Sequence, residues 1–152
     1  AGSGGRRGAG GGVSLCYVGG TFDLFHPGHV NILRNASCYG KVVVALNRDE
    51  FVTRYKRPPV MTLRERWAVV EACRYVDRVI VNDDDEDSTK AILGVKPDYL
   101  VHGSDWSGSP LYAQMGVTEE FLADHGIVPV HPPYTPGIST SELIERCRAS
   151  GS

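Results

Sequence analysis

The sequence predicts an α/β fold of three layers (α/β/α), in which helices cover both faces of a five-stranded parallel sheet. Apolar runs of strand length alternate along the chain with segments of helical periodicity. The run Lys41–Asn47 (KVVVALN) is almost wholly apolar, as expected of a strand covered on both faces. Polar clusters at residues 19–29, 102–106 and 134–141 each follow a predicted strand. A parallel sheet brings such clusters to its carboxyl edge, where ligands bind.

The first predicted elements are two strands joined by a helix. Ser14–Val18 is a short apolar strand, and Gly28–Tyr39 follows as a helix with Leu33 facing the sheet. Lys41–Asn47 is the second strand. Because a helix joins the two strands, we expect them to be parallel with a right-handed crossover.

Residues 48–61 are predicted as a loop, since Arg54–Pro59 concentrates positive charge and two prolines. Thr62 then begins a helix as its N-cap, because Glu65 three residues later completes a capping box. The apolar face of this helix is expected at Leu63, Trp67 and Val70.

The second half of the chain repeats the alternation of strands and helices. Strands are predicted at Val76–Val81, Tyr99–His102 and Ile127–Val130, and helices in a short segment ending at Leu93, at Val117–His125 and at Ser139–Arg148. The acidic stretch Asp83–Asp87 precedes the first of these helices, where a solvated loop is favoured by the helix dipole. A cation site is the alternative, although no spacing of the carboxylates defines a cage.

Length and composition indicate one globular domain. The 152 residues are 41% hydrophobic and 22% charged, which is sufficient for an independent core over residues 13–150. Residues 1–12 contain seven glycines and are predicted to be a flexible tail or linker. A glycine-rich start without Met also fits a domain that is fused to another in a longer polypeptide.

Charge and cysteine usage argue against several classes of protein. The formal net charge of −2 provides no basic footprint for nucleic acid, and no apolar run approaches the length of a membrane span. The four cysteines form no Cys-x-x-Cys pair and are expected to be reduced and buried; they are Cys16, Cys38, Cys73 and Cys147. We therefore expect a cytoplasmic protein without nucleic-acid or membrane partners.

The segment 19–29 (GGTFDLFHPGH) carries the clearest chemical signal. It opens a helix, whose unpaired N–H groups and dipole favour an anion. Pro27 suits the first helical position, and Gly28 lets a phosphate approach the backbone. The imidazoles of His26 and His29 can donate hydrogen bonds to phosphate oxygens. Half of a zinc site is the alternative, but no other Cys or His motif completes it, so we assign no metal ligand to the protein.

Three further stretches follow this segment in a defined order: Arg74–Asp77 (RYVD), Gly103–Trp106 (GSDW) and Gly137–Ser141 (GISTS). Together with residues 19–34 they resemble the motifs of the cytidylyltransferase branch of the nucleotidyltransferase superfamily, in particular its glycerol-3-phosphate cytidylyltransferase-like group. The resemblance covers Leu15 to Arg148. It implies a Rossmann-like fold and a reaction of CTP with a phosphorylated small alcohol that yields a CDP-alcohol and pyrophosphate.

The resemblance also implies roles for individual residues. The catalytic residues would be His26, His29, Arg74 and Lys56. The nucleotide would contact both histidines and Gly20, Thr21, Phe22, Arg57, Asp105, Thr135, Gly137, Ile138, Ser139 and Thr140. The acceptor would contact Asp23, Tyr55 and Arg74. Mg²⁺ is expected to accompany the triphosphate, and the relatives make a homodimer the expected assembly.

Some of these residues have a second interpretation. Asp23 could cap or orient the turn instead of contacting substrate. Arg74 and the nearby Arg66 could form ion pairs on a helix surface. Solvated or loop-ordering side chains are the alternative for Lys56, Arg57 and Asp105.

Two departures from the family pattern bear on specificity. Tyr134-Thr135 stands where the family carries Arg-Thr, so a guanidinium that would grip the nucleotide is absent. Tyr55 aligns with a lysine that the glycerol-phosphate enzymes direct at the acceptor, and a second family lysine falls near Ser88. The acceptor therefore need not be glycerol 3-phosphate; another phosphorylated alcohol or a phosphonate would fit as well.

Two rival functions stay open. An adenylyltransferase of the flavin-nucleotide type shares the fold and the His-x-Gly-His turn, but many of these carry a smaller hydroxyl residue at the position of His26. A non-catalytic nucleotide-binding domain of a larger protein is the second rival, and the retention of both His26 and His29 argues against it.

Overall fold

The computed structural model describes residues 13–55, 57–82, 88–102 and 117–151. The strands are β1 (Leu15–Gly20), β2 (Lys41–Asn47), β3 (Arg78–Asn82), β4 (Tyr99–Val101) and β5 (Val128–Val130). The helices are α1 (Pro27–Ser37), α2 (Asp49–Tyr55), α3 (Leu63–Glu71), α4 (Thr89–Val95), α5 (Glu119–Asp124) and α6 (Thr140–Gly151). All strand pairs are parallel, in the spatial order β3-β2-β1-β4-β5. The predicted α/β fold is confirmed, and the strand order reverses between β1 and β4.

Each face of the sheet has its own hydrophobic core. Cys16 and Val18 of β1 pack with Leu33 of α1 and Val70 of α3 on one face. The alternate strand residues pack on the other face with α2, α4 and α5, for example Tyr17, Val43, Val52, Ile92 and Leu122. Because successive side chains of a strand point to opposite faces, the central apolar residues of β2 fill both cores, as its sequence predicts.

The prediction of a loop over residues 48–61 is wrong for its first half, which forms α2. This helix begins with Asp49 and Glu50, whose charges suit a helix N-terminus. Its Val52 is buried in the core, and the Thr53 hydroxyl donates to the Asp49 carbonyl. A helix of only seven residues is too short for its periodicity to be recognised in the sequence.

The amino edge of the sheet is fixed by two carboxylates. Asp77 Oδ2 accepts the N–H of Val42 at 2.8 Å, and Asp98 Oδ2 accepts the N–H of Leu15 at 3.0 Å. Asp98 is only 3% exposed, and its own backbone N–H donates to the Leu15 carbonyl. Backbone groups that begin β1 and β2 are therefore satisfied by side chains of the neighbouring segments.

The four cysteines are free thiols, but two of them are exposed. Cys16 is buried in β1 and donates to the Ala36 carbonyl at 3.2 Å; burial raises the pKa of its thiol to about 12. Cys38 and Cys147 lie on the surface, which corrects the expectation of burial. Cys38 follows α1 and Cys147 lies in α6, each on the side that faces solvent. An isolated cysteine at such a position does not reveal its exposure in the sequence.

Candidate functional site

The start of α1 is capped by its own two histidines. His26 is the N-cap residue with an extended backbone, and its Nδ1 accepts the N–H of Gly28 at 3.0 Å. His29 Nδ1 accepts the N–H of His26 at 3.2 Å, which completes a reciprocal capping box. Because each Nδ1 uses its lone pair to accept, both rings are neutral and carry their proton on Nε2. Burial lowers the pKa of His26, which favours the same neutral form.

The two imidazoles are held in a stack of aromatic rings. The His26 and His29 centroids are 3.8 Å apart, and the rings of Phe22 and Phe25 lie 5.0 and 5.5 Å from His29. Gly28 is needed for this packing, because a Cβ there would lie 2.8 Å from the His26 Cε1. The sequence predicted that Gly28 leaves room for a phosphate; the structure shows that it leaves room for the His26 ring.

The turn between β1 and α1 is a constrained segment of backbone. Phe22 and Leu24 both have left-handed backbone conformations, with φ of 55° and 50°. Such conformations are unfavourable for residues with a Cβ and persist where the surroundings impose them. The turn that presents the histidines is therefore determined by its tertiary contacts.

Asp23 supplies one of these contacts. The residue is 5% exposed, and its carboxylate accepts the N–H groups of Val60 and Met61 at 2.8 and 2.9 Å. These bonds tie the turn to the segment before α3. The geometry is that of the turn-orienting alternative, and the described contacts give no support to Asp23 as an acceptor ligand.

Arg66 supplies the other contact, which the sequence did not reveal. Its side chain is fully buried, and its guanidinium donates to three backbone carbonyls and pairs with a carboxylate. The acceptors are Thr21 O (2.8 Å), Asn47 O (3.0 Å), Met61 O (3.2 Å) and Asp49 Oδ1. Arg66 thus joins the ends of β1 and β2 to α2 and α3, and neither a surface ion pair nor a phosphate contact describes it.

A second helix opening lies next to the first. The Thr140 hydroxyl at the start of α6 donates to the Asp23 carbonyl at 2.8 Å, and Asn31 Nδ2 of α1 donates to Thr135 Oγ1 at 2.8 Å. Ile138 is close to α1 as well, since a Cβ on Gly28 would lie 3.8 Å from its Cγ2. Both openings therefore direct backbone N–H groups toward the same edge of the sheet.

The hydroxyls at the second opening are partly engaged. Ser139 Oγ accepts the N–H of Glu142 at 3.0 Å, so its proton is still available to a ligand. The Thr140 proton is used on Asp23, so Thr140 offers a phosphate its backbone N–H rather than its hydroxyl proton. Gly137 precedes them with φ of 78°, a conformation that favours glycine.

Arg74 does not join the histidines. It is an exposed residue in the turn after α3, with its guanidinium 5.8 Å from the Tyr75 ring centre. In this turn the N–H of Asp77 bonds the carbonyl of Val42, near the beginning of β2. Because α3 runs back along the sheet, the turn lies at the amino edge, opposite the histidines. The structure therefore places Arg74 away from His26 of the same chain.

Other predicted residues are placed only in part. Lys56 and Asp105 lie outside the described residues, as do the tail 1–12 and the acidic stretch 83–87. Tyr55 ends α2. Arg57 is half-buried, and its Nε has no hydrogen-bond partner within the described part of the chain. These assignments stay predictions.

Gly20 ends β1 and Thr21 follows it, and their contact with a nucleotide stays a prediction. A Cβ on Gly20 would lie 3.0 Å from the Phe22 ring, and the Thr21 hydroxyl accepts from Asn47 Nδ2 at 3.5 Å. Tyr134, which replaces the family arginine, is 55% exposed.

Over the described ranges, no group of three or more His, Cys, Asp or Glu side chains is arranged to bind a metal ion. None of the helices in those ranges has the length and apolar character needed to cross a bilayer.

Comparison with known proteins agrees with this architecture. A family model described as cytidylyltransferase-like matches residues 17–146. Over 86 residues the chain is 42% identical to FAD synthase of Archaeoglobus fulgidus, covering 57% of this chain and 62% of that protein. It is 35% identical over 144 residues to the bifunctional protein HldE of Gluconobacter oxydans, covering 93% of this chain and 29% of HldE.

A third relative matches over nearly its whole length. Glycerol-3-phosphate cytidylyltransferase of Bacillus subtilis is 35% identical over 127 residues, which are 83% of this chain and 91% of that enzyme. Among solved structures, the lipopolysaccharide core biosynthesis protein of Thermoplasma volcanium aligns with a TM-score of 0.65 and 25% identity. That alignment covers 82% of this chain and 98% of the other.

Proposed function

Because the chain belongs to the cytidylyltransferase-like family of nucleotidyltransferases, we propose that it transfers CMP from CTP to a small alcohol bearing a phosphate or phosphonate. An oxygen of the acceptor phosphate attacks the α-phosphorus, the bond from that phosphorus to the β-phosphate oxygen breaks, and pyrophosphate leaves. The observation that carries the proposal is the pair of neutral imidazoles beside a second helix opening.

The site suits this reaction because the nucleophile is already an anion. No general base is required; the protein has to align the two phosphates and stabilise the charge that grows on the leaving group. Nε2–H groups of His26 and His29 and the backbone N–H groups that begin α6 are hydrogen-bond donors, and they need no proton transfer to act.

Mg²⁺ would enter with the triphosphate as part of the substrate, where it neutralises phosphate charge. The carboxylate of Asp23 is engaged by two backbone N–H groups, one on each oxygen, and we assign it no metal. The residues of the site are accordingly proposed to contact the nucleotide and not the ion.

The test is pyrophosphate release with CTP and with ATP, each combined with a panel of phosphorylated alcohols, a phosphonate and FMN. We expect release with CTP and a small acceptor. A clear preference for ATP would contradict the proposed nucleotide, and nucleotide binding without release or exchange would indicate a non-catalytic domain.

Adenylyl transfer is the second candidate, because FAD synthase of Archaeoglobus fulgidus is 42% identical over the residues it shares with this chain. Tyr134 in place of the family arginine weakens the argument for CTP in the same direction. ATP turnover with FMN would establish this alternative.

The assembly of the protein is also proposed, both as a fused domain and as a homodimer. The chain matches 29% of HldE, which is consistent with a domain that also occurs fused to another. A homodimer is expected from the resemblance alone, and light scattering at several concentrations would test it.

A further inference from the structure

A small cavity lies at the carboxyl edge of the sheet, on the face opposite α1. It has a volume of about 30 Å³ and is lined by Tyr17 and Gly19 of β1, Asn47 of β2, Asn82 of β3 and Ser88, among others. Tyr17 belongs to the core beneath α4 and α5, whereas the histidines begin α1 over the other core. The cavity is therefore separate from the histidine pair, although both adjoin the end of β1.

Two buried polar atoms beside the cavity have no hydrogen-bond partner among the described residues. They are the hydroxyl of Tyr17 and Oδ1 of Asn82, in residues that are 2% and 6% exposed. Asn82 Nδ2 donates to Ser88 Oγ at 2.9 Å, which fixes the amide and leaves its oxygen facing no donor. Buried polar groups are nearly always paired, so two unpaired atoms around one cavity indicate a missing ligand group.

The chemistry of the cavity selects the kind of group. Burial raises the pKa of Tyr17, so its hydroxyl stays protonated and can donate. Asn82 Oδ1 can only accept. A neutral hydroxyl satisfies both, because it accepts one hydrogen bond and donates another. Among the described residues that line the cavity none has a charged side chain, so these residues offer no counter-ion to an ammonium or a phosphate.

The volume sets the size of that group. A water-sized group needs roughly 10–15 Å³ of such space. A cavity of about 30 Å³ holds one or two groups of this size, such as a terminal CH₂–OH.

The cavity is connected to the proposed phosphate site through two residues. Gly19 lines the cavity, and the turn that presents the histidines begins two residues later at Thr21. Asn47 also lines it, and its amide donates to the Thr21 hydroxyl at 3.5 Å. An acceptor whose phosphate lies at the strand ends could thus extend a hydroxyl toward the cavity.

We propose that Tyr17 and Asn82 form a subsite that binds an uncharged hydroxyl of the acceptor and so selects hydroxylated over amino or purely aliphatic phosphates. The inference rests on the proposed function, since it assigns one end of the acceptor in that reaction.

The test compares three probes with the nucleotide that the protein turns over. Glycerol 3-phosphate offers hydroxyls, propyl phosphate has the same three carbons without them, and ethanolamine phosphate offers an ammonium. Tyr17→Phe removes only the phenolic oxygen, and Tyr39→Phe is the matched control because Tyr39 is exposed and lies after α1 at the amino edge.

We expect the wild-type protein to prefer glycerol 3-phosphate. Tyr17→Phe should raise the KM for it by about five- to tenfold, the scale of one lost neutral hydrogen bond, and leave the KM for CTP and for propyl phosphate within about twofold. Tyr39→Phe should change none of these. An equal effect on glycerol 3-phosphate and propyl phosphate would show that the cavity holds structural water, and would overturn the subsite.

A second variant reverses the selectivity. Asn82→Asp places a carboxylate at the cavity, and Ser88 can rotate its hydroxyl to donate to it. We expect the ratio of kcat/KM for ethanolamine phosphate to that for glycerol 3-phosphate to rise at least about tenfold, since a buried ammonium gains a counter-ion. An unchanged ratio in a variant of normal melting temperature would contradict the proposal.

The remaining outcomes separate this inference from the proposed function. Wild-type preference for propyl phosphate, ethanolamine phosphate or FMN would overturn the hydroxyl subsite and leave nucleotidyl transfer standing. Absence of pyrophosphate release with every acceptor and either nucleotide would overturn both.

Discussion

The two edges of the sheet differ in whether their buried polar groups have hydrogen-bond partners. At the amino edge, Asp77 and Asp98 accept the backbone N–H groups that begin the neighbouring strands. At the carboxyl edge, the turn after β1 includes two left-handed residues, and the buried oxygens of Tyr17 and Asn82 lack partners within the described residues. Polar groups that have hydrogen-bond partners contribute to stability, whereas buried polar groups without partners are available to a ligand. The amino edge therefore stabilises the sheet, and the carboxyl edge provides the groups that can bind a ligand.

The largest effect should follow from removing a histidine at the carboxyl edge. His26→Ala or His29→Ala should lower kcat by about 10²- to 10³-fold, the scale for losing one preorganised donor to the transition state. Steady-state pyrophosphate release measures this effect.

A control is needed because His26 also caps α1. His26→Asn keeps a side chain that can accept the Gly28 N–H but removes the Nε2 donor. We expect its melting temperature to stay close to that of the wild type while kcat falls as in His26→Ala. Wild-type rates in the alanine variants would refute the assignment of the binding edge.

Arg66 should give the next largest effect, because it connects the ends of β1 and β2 to two helices. Arg66→Met leaves three carbonyls and Asp49 without their donor, and we expect a loss of about 3 kcal/mol in the free energy of unfolding. Chemical denaturation measures the loss. Arg64→Met is the matched control, since Arg64 lies on the exposed side of the same helix. Equal stability of the two variants would contradict the role of Arg66.

Asp98 tests the amino edge. Asp98→Asn keeps the shape but replaces a charged acceptor by a neutral one, and should reduce the free energy of unfolding by about 1 kcal/mol. Asp77→Asn should have a smaller effect because Asp77 is exposed. Neither variant should change kcat by more than about twofold, because both lie at the edge away from the histidines. A large fall in kcat in a stable variant would show that the two edges do not divide stability and binding in this way.

The sequence predicts those features that depend on local patterns. The apolar run of β2 determines a strand buried on both faces, and the Pro-Gly pair between two histidines marks the start of α1. The convergence of this start with that of α6 follows from the parallel order of the strands, which alternation of elements also predicts.

The features that the sequence does not predict depend on residues that are distant along the chain. Burial of Arg66 requires acceptors from four separate segments, although its position between Leu63 and Val70 on the apolar face was an available signal. Arg74 matches a motif, but the direction of α3 places it at the opposite edge. In the sequence, Tyr17 is an ordinary aromatic residue of a buried strand. Only the structure shows that its hydroxyl is unpaired and lies beside a cavity.

The smallest predicted effect is the response of the carboxyl edge to pH. Burial lowers the pKa of His26 below its usual 6.5, so the folded protein binds this proton less readily than the unfolded chain. The stabilising contribution of the neutral ring is therefore complete above pH 6.5 and is lost as the pH falls from there through the lowered pKa. Protonation also removes the lone pair that accepts the Gly28 N–H, so kcat should fall over the same range. Melting temperatures of the wild type and His26→Asn, measured between pH 7.5 and pH 5, should diverge as the pH falls. Parallel curves would show that another group causes the acid sensitivity of this edge.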